Sequence, residues 1–219
     1  MVRAGLCRIG GKVMENPFLE VEPEGLEFEL DGEQWRYHAK AYLMMHKPAG
    51  HECSHKPQHH SSVYSLLPEP LVTRGVQSIG RLDYDTTGLL LFSDDGKFIH
   101  FWSSGKKRIP KTYEIVTRHA IDEGMLASLR NGVQLHDEPG PIRAAACDQT
   151  GEQTLRMVVT EGKYHQVKRM IAAVGNRVEH LHRSKVGGLS LPDDMPVGYW
   201  RWLSADDIEA LSSFEPYAH

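Results

Sequence analysis

The amino-acid sequence predicts an α+β fold, and three observations predict it. Strand-like alternation recurs along the chain, in VEPEGLEFEL, KTYEIVTR and RVEHLHRSKVGGLSL. Helical segments are few and follow no regular βαβ order, which argues for a mixed sheet rather than a doubly wound parallel one. Neither GxGxxG nor a Walker motif occurs, so a nucleotide-binding fold has no support. With 219 residues, 40% hydrophobic and 25% charged, the chain can bury one full-sized core with a small appendage.

Residues 1–38 read as that appendage. GGKVMENP and ELDGEQW carry turn signals, and VEPEGLEFEL alternates around a glycine turn. The main unit spans 39–219. It begins with AYLMMHKPAG, an apolar strand stopped by Pro48 and Gly50. HECSHKPQHHSS (51–62) is a polar loop, and IGRLDYDTTG is a loop ending at Gly88. LLLF (89–92) is a short buried strand. Asp94, Asp95 and Gly96 turn the chain into the helix KFIHFWSS. KTYEIVTR is a strand, and IDEGMLASLRNG is a helix capped by Asp122 and stopped at Asn131-Gly132. LRMVVTEG is a strand, YHQVKRMIAAVG a helix ended by Gly175, and SADDIEALSS a helix capped by Ser204.

No apolar run approaches the roughly 20 residues that span a bilayer, and the start lacks a signal-peptide core. Three scattered cysteines (Cys7, Cys53, Cys147) fit neither a disulfide framework nor a zinc finger, so a reducing, cytoplasmic setting is expected. His51, Cys53, His55, His59 and His60 match no tetrahedral metal template. The net charge of −4 argues at first against a nucleic-acid partner, but its distribution reverses that impression. Residues 15–33 hold eight acids and no Lys or Arg, and residues 193–219 hold six acids against Arg201. The middle is basic: Lys97, Lys106, Lys107, Arg108, Lys111 and Arg118 oppose only Glu114, and a second basic run covers 161–188. If the two runs share a face, they make a phosphate-binding surface.

Three constellations could carry chemistry. In GRLDYDTTG, two carboxylates and Arg81 sit in a glycine-bounded loop anchored by a buried strand. An aspartate beside a cation stays ionised, ready as base or nucleophile. For Asp83 this reading stands beside an Asx turn; for Asp85, followed by two threonines, the Asx turn is expected. In EGKYHQVKRM, Val167, Met170, Ile171 and Val174 have the spacing of a buried helix face. His165 and Arg169 fall opposite it, and Lys168 falls at its edge, able to aim an ammonium into a cleft or simply to snorkel. Lys111 and Tyr113 share one face of a strand, and Tyr113 is either a base-stacking platform or a core tyrosine.

These segments, GRLDYDTTGLLLFSDDG, KTYEI and EGKYHQVKRMIAAVGNRVEHLHRSKVGGLSL, together with AYLMMHKPAG, resemble the RsuA-type family of bacterial ribosomal RNA pseudouridine synthases over about residues 40–203. HQVKRM and NGVQLHDE look most like the branch that modifies one uridine of small-subunit 16S rRNA. RAGLCRIGGKVMENPFLEVEPEGLEFELDG resembles the second half of an S4-type RNA-binding unit, whose first half would precede Met1. The resemblance implies a long mixed, mainly antiparallel sheet in two subdomains with a central catalytic cleft. It implies Asp83 as the essential aspartate, Tyr113 as the tyrosine packed on the target base and Lys168 as the basic partner of the aspartate. Arg81 would fill the gap left by the flipped base. The basic side chains then offered to RNA are Lys106, Lys107, Arg108, Lys111, Lys163, His165 and Arg169.

Converting uridine to pseudouridine breaks N1–C1′, turns the uracil and joins C5 to C1′, with no net gain of atoms and no redox change. No cofactor and no metal are expected. The expected partner is ribosomal RNA, 16S favoured, as naked RNA or a partly assembled particle, with the enzyme a monomer. Three other readings compete. A glycosidase needs two carboxylates flanking the bond and would release free uracil. A non-catalytic ribosome-assembly factor would have no use for Asp83, Tyr113 and Lys168 together. A 23S rRNA synthase differs only in the RNA it accepts.

Overall fold

The computed structural model describes residues 1–23, 25–215 and 217. It divides into two compact units, Met1–Ala41 and Tyr42–His219. The first unit is a four-stranded antiparallel sheet of β1 (Cys7–Ile9), β2 (Lys12–Val13), β3 (Glu27–Leu30) and β4 (Glu33–Arg36), in the order β2-β1-β3-β4. Its hairpins turn at Gly10-Gly11 and at Asp31-Gly32, all with positive φ, as tight two-residue turns demand. Among the described residues of these strands only Cys7 is buried.

The second unit holds β5 (Tyr42–Lys47), β6 (His51–Glu52), β7 (Ser61–Ser62), α1 (Glu69–Thr73), β8 (Gln77–Ile79), β9 (Thr87–Ser93) and α2 (Gly96–Ser103). Then come β10 (Lys111–Thr117), α3 (Glu123–Asn131), β11 (Ala146–Gly151), β12 (Thr154–Val159), α4 (Gln166–Ala173), β13 (Val178–Val186), β14 (Leu189–Ser190), β15 (Trp200–Trp202) and α5 (Ala205–Ser212). A nine-stranded sheet runs β11-β12-β10-β13-β9-β5-β15, with β14 on β13 and β8 on β9. Its pairings are antiparallel except β13 with β9, which is parallel. Two antiparallel halves therefore meet at one seam, and that seam is short: His182 opposite Thr87 and Arg183 opposite Gly88. Gly88 has φ 111°, and a Cβ there would lie 2.3 Å from the Arg183 carbonyl oxygen, so only glycine lets the halves approach.

The apolar run LLLF becomes the middle of β9, covered on both faces, as a continuous hydrophobic strand should be. On one face Leu89 and Leu91 join Met44, Ile79, Trp102, Ile109, Val186 and Leu211 in a buried cluster roofed by α2 and α5. Helices α2, α3 and α5 start where the sequence predicts. Asp95 caps α2, Asp122 accepts from Met125 N at 2.8 Å at the head of α3, and Ser204 with Asp207 forms a capping box on α5. No helix among the described residues is long and apolar enough to cross a membrane.

Two local expectations differ. The polar loop 51–62 contains a small parallel pair, β6 with β7. The Glu52 carboxylate gathers the N–H groups of Gln58, His59 and His60 at 2.9 to 3.1 Å, which closes the loop and brings Ser61 and Ser62 back beside His51 and Glu52. Helix α4 begins at Gln166, later than the YHQVKRM pattern suggests, because His165 takes a left-handed conformation with φ 46°.

Candidate active site

The site is built where β8, β9 and β13 converge. Residues 80–86 form the loop between β8 and β9, and its backbone is held from below by one lysine. Lys47, at the end of β5, is completely buried, and its Nζ donates to the carbonyls of Pro48 (3.0 Å), Asp83 (3.0 Å), Thr86 (2.9 Å) and, more weakly, Tyr84 (3.4 Å). Burial pushes the Lys47 ammonium below its ordinary pKa, opposed by Cys53, Asp85 and Asp83. The Thr86 N–H donates to the Asp83 carbonyl at 3.1 Å, and the Leu82 N–H reaches Cys53 Sγ at 3.5 Å, so the loop is braced on several sides. Burial raises the Cys53 thiol pKa, which makes it a brace rather than a nucleophile.

The Asp83 carboxylate lies between two donors from the start of α4. Lys168 Nζ is 3.0 Å from Oδ2, and His165 Nε2 is 3.2 Å from Oδ1. Lys168 also meets Asp85 Oδ1 at 2.6 Å, so Asp85 is an ion-pair partner, and its carboxylate makes that contact instead of the expected Asx turn. Burial opposes the Lys168 charge, but hydrogen bonds to Asp85 and Asp83 outweigh it and raise its pKa. The left-handed turn at His165 is what swings the imidazole onto Asp83, and the ring stacks on Tyr164 with centroids 3.9 Å apart.

A cavity of about 140 Å³ opens beside Asp83, lined by Lys111, Tyr113, Val159, Leu181 and Arg183 among others. Strand geometry puts these side chains together. Lys111 and Tyr113 share a face of β10, opposite Val159 and Met157 of β12. On β13 the register slips between Thr112 and Tyr113, so Tyr113 faces Arg183 while Lys111 faces Val186. That bulge lets two residues three positions apart line one face. Tyr113 is 9% exposed and Arg183 2%. Arg183 Nε donates to the Leu89 carbonyl at 2.9 Å across the seam. Lys111 Nζ donates to the Ile109 carbonyl at 3.0 Å, and burial, then the charge of Arg183, brings its pKa down to about 8.

This shift has a stability consequence. A lysine whose folded pKa lies near 8 is already neutral in the fold while its unfolded form, near 10.5, still binds a proton. Stability therefore rises with pH across that window, by up to roughly 1.4 kcal/mol per pH unit. Urea unfolding at stepped pH should show the rise in the wild type and a flatter curve in Lys111→Met; equal slopes would mean that Lys111 titrates normally.

A wider groove of about 710 Å³ adjoins the cavity and shares Arg81, Asp83, His165 and Lys168 with it. Two exposed tyrosines stand in it, each backed by a histidine: Tyr84 on His60 at 4.1 Å and Tyr164 on His165. Arg81 is exposed and lines both spaces.

The seven basic residues expected to face RNA are dispersed. Lys106 and Lys107 are exposed on the turn after α2, where Lys107 Nζ lies 5.0 Å over the Phe101 ring, and Arg108 follows with φ 52°. None of these three lines the cavity beside Asp83. Lys163 pairs with Glu138 at 2.5 Å, and Arg169 donates to the Tyr164 carbonyl at 3.2 Å with Glu138 at 3.8 Å, so one largely buried acid offsets both cations. Lys111 and His165 turn inward, to the cavity and to Asp83. Sequence reasoning missed Lys47 and Arg183 as members of the site.

A family model described as RNA pseudouridylate synthase matches residues 41–173. The ribosomal small subunit pseudouridine synthase A of Yersinia pestis is 36% identical over 213 residues, 97% of this chain and 90% of the relative. The protein of the same name from Pasteurella multocida is 37% identical over 213 residues, covering 97% and 91%. A crystal structure of a pseudouridylate synthase superposes with a TM-score of 0.75 at 33% identity, covering 96% of this chain and 90% of the other. The match spans the loop that carries Asp83, the strand that carries Tyr113 and the helix that carries Lys168. A match of that extent, with relatives alike over nearly their whole length, makes the chain a member of the RNA pseudouridylate synthase family.

Proposed function

We propose that this chain isomerises one uridine of small-subunit ribosomal RNA to pseudouridine, with Asp83 as the group that acts on the ribose. One observation carries the reading: a carboxylate held between Lys168 and His165 at the junction of a small lined cavity and an open groove. A stacked base cannot reach such a cavity, so the target nucleotide is flipped out of its helix, with Arg81 at the vacated position. Tyr113 supports the uracil from the wall of β10. Attack on C1′ and removal of the C2′ proton both need a carboxylate held at the ribose, and Lys168 and His165 fix its two oxygens in place. The relatives' names support the small-subunit choice. The Met1–Ala41 unit serves as a partial S4-like RNA-binding element, and the enzyme works as a cytoplasmic monomer on naked or partly assembled RNA.

The test is tritium release from 5-³H-uridine rRNA. Small-subunit and large-subunit RNA are offered separately, with and without ribosomal proteins. Release from small-subunit substrates alone is expected. Release from large-subunit RNA would move the enzyme to the other subunit, and free uracil as product would mark a glycosidase.

A further inference from the structure

The cavity beside Asp83 contains more positive charge than the aspartate needs. Lys168 and His165 already occupy both carboxylate oxygens. Deeper in, Arg183 is 2% exposed, and among the described residues no carboxylate lies within ion-pair distance of it. Its hydrogen bond to the Leu89 carbonyl uses Nε. Neither Nη is among the described buried atoms left without a partner, which fits a guanidinium fork turned toward the cavity it lines. Lys111 stands beside it with one backbone carbonyl as acceptor, and the mutual repulsion of the two is part of why its proton is loosely held. The lining carboxylates are engaged elsewhere, Asp83 with Lys168 and His165 and Glu161 with Gln166, and two neighbouring cations, one of them fully buried, are unfavourable without an ion-pair partner unless a ligand supplies negative charge. A flipped base suits this small cavity better than a backbone phosphate, for which the open groove of about 710 Å³ lies outside it.

We propose that Lys111 and Arg183 form an anion site for the detached uracil. The inference rests on the synthase reading and deepens it. When N1–C1′ breaks, its electron pair stays with the ring, which becomes a uracil anion with charge on N1 and the ring oxygens. C1′ is taken by the Asp83 carboxylate, or the C2′ proton passes to Asp83. The ring then turns and C5 bonds to C1′, which displaces the Asp83 carboxylate or, on the other route, draws the proton back from Asp83 to C2′; C5 then gives up its proton to Asp83 or solvent, N1 takes one up, and the ring is neutral again. Lys111 and Arg183 donate hydrogen bonds to the ring oxygens throughout. Their contribution is largest when the ring is charged, so it lowers the barrier more than it tightens substrate binding. Tyr113, on the same face, keeps the ring in plane while it turns.

The experiment has two arms. In single-turnover tritium release from small-subunit rRNA, Lys111→Gln and Arg183→Gln should slow the chemical step by about a hundredfold. RNA affinity by filter binding should stay within about threefold, and Lys111→Arg should recover much of the rate. Rates near wild type, or a loss confined to affinity, would overturn the anion site. The second arm needs no RNA turnover. At neutral pH, 5-nitrouracil is an anion and uracil is neutral; titration calorimetry should show at least about tenfold preference for 5-nitrouracil in the wild type and none in either Gln variant. Equal affinities in the wild type would overturn the proposal. Wild type inert on every RNA would sink the synthase reading, while the 5-nitrouracil preference would still decide the anion site. If Arg183→Gln fails to fold by circular dichroism, the Lys111 variants decide.

Discussion

Asp83→Asn should lower turnover by about a thousandfold or more while leaving RNA affinity within about threefold. The amide is the same size and can still meet Lys168 and His165, so the loop keeps its shape. What is lost is the negative charge that the proposed reaction needs beside the ribose. Lys168 also holds Asp85, so a second carboxylate is at hand, and the companion variant Asp85→Asn separates the two. Asp85 is 46% exposed and outside the cavity lining, whereas Asp83 faces the cavity. Its replacement should cost at most about tenfold, through Lys168. Single-turnover tritium release with filter binding reads both effects. A modest loss in Asp83→Asn with a severe one in Asp85→Asn would exchange their roles.

Lys47→Met should be the most destabilising single change in the main unit, by about 3 kcal/mol or more. Methionine matches the stem but leaves the carbonyls of Pro48, Asp83 and Thr86 facing a thioether in a dry interior. An unsatisfied buried carbonyl costs roughly 1 to 3 kcal/mol, and the loop can escape only by moving. Movement there displaces Asp83, so activity should fall at temperatures where the variant is still folded. Urea midpoints and turnover measured together test this. A stable Lys47→Met enzyme of normal activity would show that the loop holds its shape without the ammonium.

These two residues show what could be read in the chain and what could not. The Asp83 loop and the HQVKRM helix announce themselves through residue types that ordinary packing does not require. The strands of the sheet follow from alternation, and the caps at Asp95, Asp122 and Ser204 from local hydrogen-bond chemistry. Lys47 gives no such signal. It ends a strand before a proline, where a lysine usually reaches solvent, and all its acceptors but Pro48 come from a loop some 36 residues away. Arg183 reads as one more surface cation of a basic run, although it shares the buried face of Leu181, and the bulge that adds Val186 to that face has no signature in the sequence. His165 reads as the far side of a helix, but α4 starts one residue after it, and its left-handed backbone turns the side chain the other way. Glu138, from the segment NGVQLHDE, offsets Lys163 and Arg169 from a distance no sequence pattern predicts.

The parallel seam also bears on how the chain reaches its folded state. Each half of the sheet can assemble from antiparallel pairs, but joining them brings together residues 95 positions apart, Thr87 and His182, through two register pairs. Closing so long a loop for so few contacts is slow and late, since its entropy is lost before much is gained. Asp83 belongs to one half and Arg183 to the other, so a molecule with both halves formed but unjoined has its secondary structure and no working site. Recovery of activity after dilution from urea should therefore lag behind recovery of the far-ultraviolet signal. During synthesis, catalytic competence waits until the strand bearing Arg183 has emerged and zipped onto a partner made long before it.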